Sequence, residues 1–176
     1  IVVATHLLPW IITVHMILAF AIVCVQIIIL HKVDPSKFRF KVNPGMKGLL
    51  FFAFILLLVQ IILGTQVRQQ IDVAASEMGE DARSNWTNNL DIRFLIHRSA
   101  SLLLFGLAAY LSWKNIKNHY RMNMLNMVTL IFVFEILTGI ILYYAGMPKI
   151  LQPLHLFLSG LALAMLLHLI LKTNRY

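Results

Sequence analysis

Apolar residues run along this chain in long stretches nearly free of charge, broken by short polar segments. Five stretches reach the ~18 residues that can cross a bilayer core of roughly 30 Å: Leu8–Leu30, Gly48–Gln66, Phe94–Trp113, Met124–Ala145 and Leu151–Leu171. The pattern predicts an all-α, polytopic membrane protein of five transmembrane helices, with no room left for a soluble domain.

The composition agrees. Of 176 residues, 60% are hydrophobic and only 12% are charged, against about 25% charged in soluble domains. The net charge of +8 could suggest nucleic acid, but its placement indicates none. Lys32, Lys37, Arg39, Lys41 and Lys47 fill the first loop, Lys114, Lys117 and Arg121 the third, and Lys172 and Arg175 end the chain. Asp72, Glu77, Glu80, Asp81 and Asp91 gather in the second loop, around residues 67–93. Basic residues resist translocation, so the first and third loops and the C-terminus are expected to be cytoplasmic. Cys24, the only cysteine, offers no disulfide, zinc site or redox pair and reads as a packing residue. The first residue is Ile1, and the first helix has neither a basic leader nor a cleavage site. A chain that starts within something longer is the expectation.

An internal repeat carries the histidines. Helices one, three and five share one direction, and in each a histidine precedes a lysine by 17 residues: His15 and Lys32, His97 and Lys114, His155 and Lys172. That separation is roughly 25 Å along a helix, so the three imidazoles share one depth near the outer interface. Four residues after each histidine the side chain is small: Ala19, Ser101 and Ser159. This leaves room for a flat macrocycle against the helix. Helices two and four share Gln60-Ile61-Ile62-Leu63-Gly64 and Glu135-Ile136-Leu137-Thr138-Gly139, a polar residue followed one turn later by a glycine where another helix can pack closely. Helices two to five therefore read as two copies of a helix pair forming a four-helix bundle, whose core is a usual cofactor site. The expected organisation is residues 1–31 as the last helix of a truncated first half, 32–47 as a cytoplasmic linker and 48–176 as the bundle.

A histidine inside a membrane helix either bonds a neighbouring helix or ligates a metal, and polar groups there are costly enough to be functional. Three at one depth favour ligation. Imidazole suits iron, zinc and copper. Zinc needs further thiolate, imidazole or carboxylate ligands, and helices three and five offer none at that depth. Two histidines on facing helices fit a six-coordinate haem better, which makes His97, His155 and His15 the candidate metal ligands. His168 reads as structural, His31 and His119 as solvated, and His6 as a weak candidate. Arg98 and Arg68 either anchor at the interface or pair with haem propionates, since guanidinium binds carboxylate bidentately. Glu135 is the only acid within a helix and is expected to face Gln60 across the bundle as a hydrogen-bonded carboxylic acid.

These residues resemble the haem A synthase family, which oxidises a methyl group of haem O to the formyl group of haem A for terminal oxidases. That family has eight helices in two homologous halves, with histidines on the second and fourth helix of each. Val14-His15-Met16-Ile17-Leu18-Ala19 is similar to the fourth family helix, Gln60 through Arg68 to the end of the fifth, Ile96-His97-Arg98 to the His-Arg motif of the sixth, and Gln152-Pro153-Leu154-His155 to the start of the eighth. The resemblance spans essentially the whole chain. It implies a haem b cofactor between His97 and His155 and a place for His15 in the site for the substrate, haem O. It also implies a bacterial inner membrane location, a homo-oligomer, and haem O synthase as a candidate partner. The family's catalytic glutamate stands three residues before a first-half histidine. The position three before His97 is Phe94, so the catalytic glutamate is expected outside this chain. The outer loops of the family often carry cysteines, whereas the 67–93 loop has none.

Two rival readings remain open at this point. A transmembrane electron-transfer cytochrome b would hold one haem and give His15 no role. A haem-free subunit would use its histidines only for bonds between helices.

Overall fold

A computed structural model describes residues 9–34, 36, 39–88 and 90–175. His6 and Lys37, singled out from the sequence, lie outside the described residues. Five long helices dominate: α1 (Pro9–Val33), α2 (Pro44–Met78), α3 (Ile92–Lys117), α4 (Asn123–Tyr144) and α5 (Leu151–Lys172). Each is long and apolar enough to cross a membrane, so the chain is a multi-pass membrane protein. Its surface fits a hydrocarbon solvent, since large apolar side chains such as Leu18, Ile22, Phe51, Leu103 and Phe157 are more than half exposed.

Helices α2, α3, α4 and α5 form a ring in which each packs on the next and α5 closes against α2. Consequently α3 and α5 stand diagonally across the bundle, as do α2 and α4. Helix α1 lies outside the ring against α5 and α2. Phe20 fills the space left by Gly160, where an added Cβ would sit 3.1 Å from its ring. Thr13 of α1 bonds Thr65 of α2 at 3.2 Å and accepts from Gln69 at 2.9 Å.

Local sequence explains the helix ends. At α2 the Asn43 side chain accepts from the Met46 N–H at 2.7 Å, and Pro44 sits at the first helical position, where its missing N–H costs nothing. The helix runs 35 residues, about 52 Å, which far exceeds a hydrocarbon core of roughly 30 Å. The apolar run ends near Gln66, yet the helix continues to Met78 because Ile71 and Ala74 bury against Trp86. Gly79, at φ 77°, then turns the chain in a left-handed conformation that suits a residue without a Cβ.

Beyond Gly79 the second loop folds into a cap. The Trp86 indole donates to the Gly79 carbonyl at 3.1 Å and lies under the Arg83 guanidinium at 4.4 Å. Arg83 also donates to the Met147 carbonyl at 2.6 Å, which ties the cap to the α4–α5 turn. Glu80 lies between Arg83 at 2.8 Å and Lys149 at 3.2 Å, and these cations hold its carboxyl below the usual range. Asp91 caps α3 by accepting the Arg93 N–H at 2.8 Å, a bond that lowers its pKa.

At the opposite end, Phe40–Val42 (β1) pairs in parallel with Thr173–Arg175 (β2), Phe40 opposite Thr173. The pairing staples the segment before α2 to the end of α5, so part of the expected linker is ordered. Lys172, only 6% exposed, bonds Asp34 and the Ser36 hydroxyl, and its bond to Asp34, with the Ser36 N–H that Asp34 accepts at 2.8 Å, holds the Asp34 carboxyl down at about 2. His31 is half-buried beside Arg39, and its Nδ1 is buried without a partner. It is thus less solvated than its place in a basic segment suggested, whereas His119 stands exposed in the α3–α4 turn.

The core fills this strand end of the ring. Leu50, Ala53, Leu57, Leu104, Ala108, Leu111, Leu125, Val128, Leu163, Leu166 and Leu169 are nearly inaccessible. Toward the cap the filling stops. No residue of α3 before Leu104 and none of α5 before Ala162 is fully buried.

Candidate functional site

The stretches of α3 and α5 that hold no fully buried residue are where the sequence places two of its histidines. His97 on α3 and His155 on α5 each lie just under two turns before the first fully buried residue of their helix, Leu104 and Ala162. Both are half-buried. Their helices stand diagonally across the ring.

Each ring is seated by the helix preceding its own. On α2, Gly64 faces His97 so closely that a Cβ there would lie 3.2 Å from the ring Cε1. On α4, Gly139 faces His155, with the corresponding distance 3.7 Å. One turn before each glycine stands the polar residue of the repeat. Gln60 Nε2 donates to the His97 backbone carbonyl at 2.9 Å. Glu135 Oε2 lies 2.8 Å from His155 Nδ1, and Thr138 Oγ1 lies 2.8 Å from the same nitrogen. The Ser159 hydroxyl, one turn after His155, donates to the other Glu135 oxygen at 2.9 Å. The expected Glu135–Gln60 contact is not formed. Residues on diagonal helices are too far apart, and each polar group bonds the histidine helix that follows its own.

The two seats differ in their bonding. His155 Nδ1 has two partners, while His97 Nδ1 and Gln60 Oε1 are both buried without one among the described residues. For neither histidine does Nε2 have a hydrogen-bond partner among the described residues.

The sequence of residues 1–167 matches the model of the COX15-CtaA family of cytochrome oxidase assembly proteins. The chain belongs to this family. Its members are the haem A synthases, oxidoreductases of haem. No curated protein matches the chain, and no solved structure does.

Within this haem A synthase family member the remaining candidates take distinct places. Arg68, near the cap end of α2, pairs with Asp72 at 2.8 Å and bonds the Gln152 side chain, three residues before His155. Arg98 is exposed and stacks its guanidinium over Phe94 at 5.8 Å. Phe94 in turn stacks on Tyr143 of α4 at 4.8 Å. His15 is exposed on α1, two residues after the Thr13 that bonds α2, and so lies at the same end of the molecule as the other two. His168 is half-buried near the strand end, far along α5 from His155.

Sequence reasoning singled out Glu135 but missed its partner, and it did not single out Thr138. The repeat held the signal. If the polar residue and glycine of each first helix seat the histidine of the second, Gln60 belongs with His97 and Glu135 with His155.

Proposed function

We propose that this chain holds a haem b between His97 and His155 and works as part of a haem A synthase, the oxidoreductase that converts haem O to haem A. The observation that carries the reading is a pair of histidines on diagonal helices, each seated against a glycine and each without an Nε2 partner among the described residues, on stretches of α3 and α5 that hold no fully buried residue. A metal held by protein alone needs more ligands than two. Among the described residues no three His, Cys, Asp or Glu side chains gather as they would for such an ion. Iron in a porphyrin brings four nitrogens of its own and asks the protein only for axial ligands. When bound, the haem supplies one-electron redox chemistry, and the protein orients and tunes it.

The residues of this chain have separable tasks. His97 and His155 would hold the haem iron. Gly64 and Gly139 let the rings lie against α2 and α4. Leu104, Phe132 and Ala162 close the floor and keep water from the strand end. Arg68 and Arg98 stand at the cap end, where a guanidinium would pair with a haem propionate. His15, turned outward on α1, serves the separate haem O site, whose other ligand and catalytic glutamate come from helices outside this chain. The expected sidedness follows the basic loops, with the strand end cytoplasmic.

The absorbance spectrum of the purified chain tests this. A low-spin haem should be present, lost in His97→Ala and in His155→Ala, and kept in His15→Ala. Unchanged spectra in both of the first two variants would overturn the ligand assignment. Loss of the same haem in His15→Ala would overturn the separate role given to α1.

A further inference from the structure

The two histidine seats are related by the internal repeat, yet one polar member is a carboxyl group and the other an amide. On α4, Glu135 presents an oxygen to His155 Nδ1 at 2.8 Å and is itself steadied by Ser159 at 2.9 Å. On α2 the equivalent residue is the neutral Gln60, which bonds the His97 backbone at 2.9 Å while its Oε1 and His97 Nδ1 both remain buried and unpaired.

We infer that Glu135 is a positioning residue that makes His155 the stronger axial donor, while the neutral Gln60 leaves His97 the weaker one, so that the haem is held asymmetrically. This rests on the haem reading proposed above. An imidazole that gives its Nδ1 proton to a carboxylate is fixed in the tautomer with a free Nε2, and its ring becomes more basic toward a metal. An amide oxygen draws far less on the same proton, because charge-assisted hydrogen bonds are roughly twice as strong as neutral ones. The unpaired Oε1 of Gln60 and Nδ1 of His97 are an acceptor and a donor on side chains that already touch through the His97 backbone. Leaving both unmet is costly, so ring and amide are expected to bond each other once Nε2 is committed to iron.

Greater donor strength favours the ferric over the ferrous state. Glu135→Gln should therefore weaken that preference roughly tenfold, which raises the midpoint potential by about 59 mV for a one-electron couple. It should also change the electron paramagnetic resonance of the ferric haem. Glu135→Asp, which keeps the charge but draws the carboxylate back, should shift the potential in the same direction by less. Gln60→Glu should shift it the opposite way. A role confined to packing would not move the potential in opposite directions at two related positions.

The experiment is a redox titration of the full chain with its haem bound, read in the visible spectrum alongside its paramagnetic resonance. Should Glu135→Gln fail to accumulate, Glu135→Asp and Gln60→Glu carry the test. Haem-loaded variants that all keep the wild-type potential and resonance overturn this inference and leave the haem reading standing. A wild-type chain without haem overturns the reading beneath it instead.

Discussion

The two repeat glycines allow a sharp comparison, because the histidine each one seats stands at a different distance. An added Cβ at Gly139 would lie 3.7 Å from His155 Cε1, an ordinary contact, whereas at Gly64 it would lie 3.2 Å from His97 Cε1. Replacing a helical glycine by alanine restricts the unfolded chain and gains about 0.5–1 kcal/mol when nothing obstructs the methyl group. Gly139→Ala should keep that gain, a rise in melting temperature of about 1–4 °C for a chain of this length. At Gly64 the imidazole must give way by a few tenths of an ångström, and overpacking of this kind costs about 1–3 kcal/mol. The ring cannot retreat freely, since Gln60 holds the His97 backbone from the same helix that carries Gly64. Strain should exceed gain, so Gly64→Ala should lose about 1 kcal/mol net and melt about 2–4 °C lower. The assay is thermal unfolding in detergent followed by circular dichroism, with the haem absorbance recorded on each sample. Equal shifts of the same sign in the two variants would show that the close approach at Gly64 does not constrain the ring, and the reasoning would fail.

Asn115 closes the α3–α4 turn by donating to the Met122 carbonyl at 3.1 Å and accepting the Met122 N–H at 3.0 Å, both residues being buried. Asn115→Ala should strand these backbone groups and cost about 2 kcal/mol, read as faster hydrogen exchange of the Met122 amide; unchanged exchange would refute it. The Asp34–Lys172 latch should respond to acid. Because the Asp34 carboxyl is held down at about 2 from an ordinary 3.8, its contribution is complete above the ordinary value and disappears as pH falls through about 2. Wild-type melting temperature should therefore drop more steeply between pH 4 and pH 2 than that of Asp34→Asn, and parallel curves would rule the latch out.

The amount legible in sequence differs from one feature to the next. The helices at α1, α3, α4 and α5 announced themselves within a few residues, because a hydrocarbon solvent demands long apolar runs with every backbone bond satisfied internally. Helix α2 did not. Its last turns, from Gln69 to Met78, are polar enough to read as loop, and only their burial of Ile71 and Ala74 beneath Trp86 makes them helical. The short strands at Phe40–Val42 and Thr173–Arg175 were equally hidden, since each is three residues long and exists only because the other lies beside it.

The sequence by itself determined the membrane class, the number of spans, the repeat, and the equal spacing of His15, His97 and His155 from the lysine near the end of each helix. All of these follow from spacing along a helix of fixed rise and need no knowledge of what packs on what. Only the tertiary structure decided which residue serves which histidine, for that depends on the order of helices around the ring. With α3 and α5 diagonal, Glu135 reaches His155 and not Gln60, and the packed leucines stop short of both imidazoles. Neighbour relations between helices are set by the fit of their surfaces, and a pattern read along one strand of sequence carries no record of them.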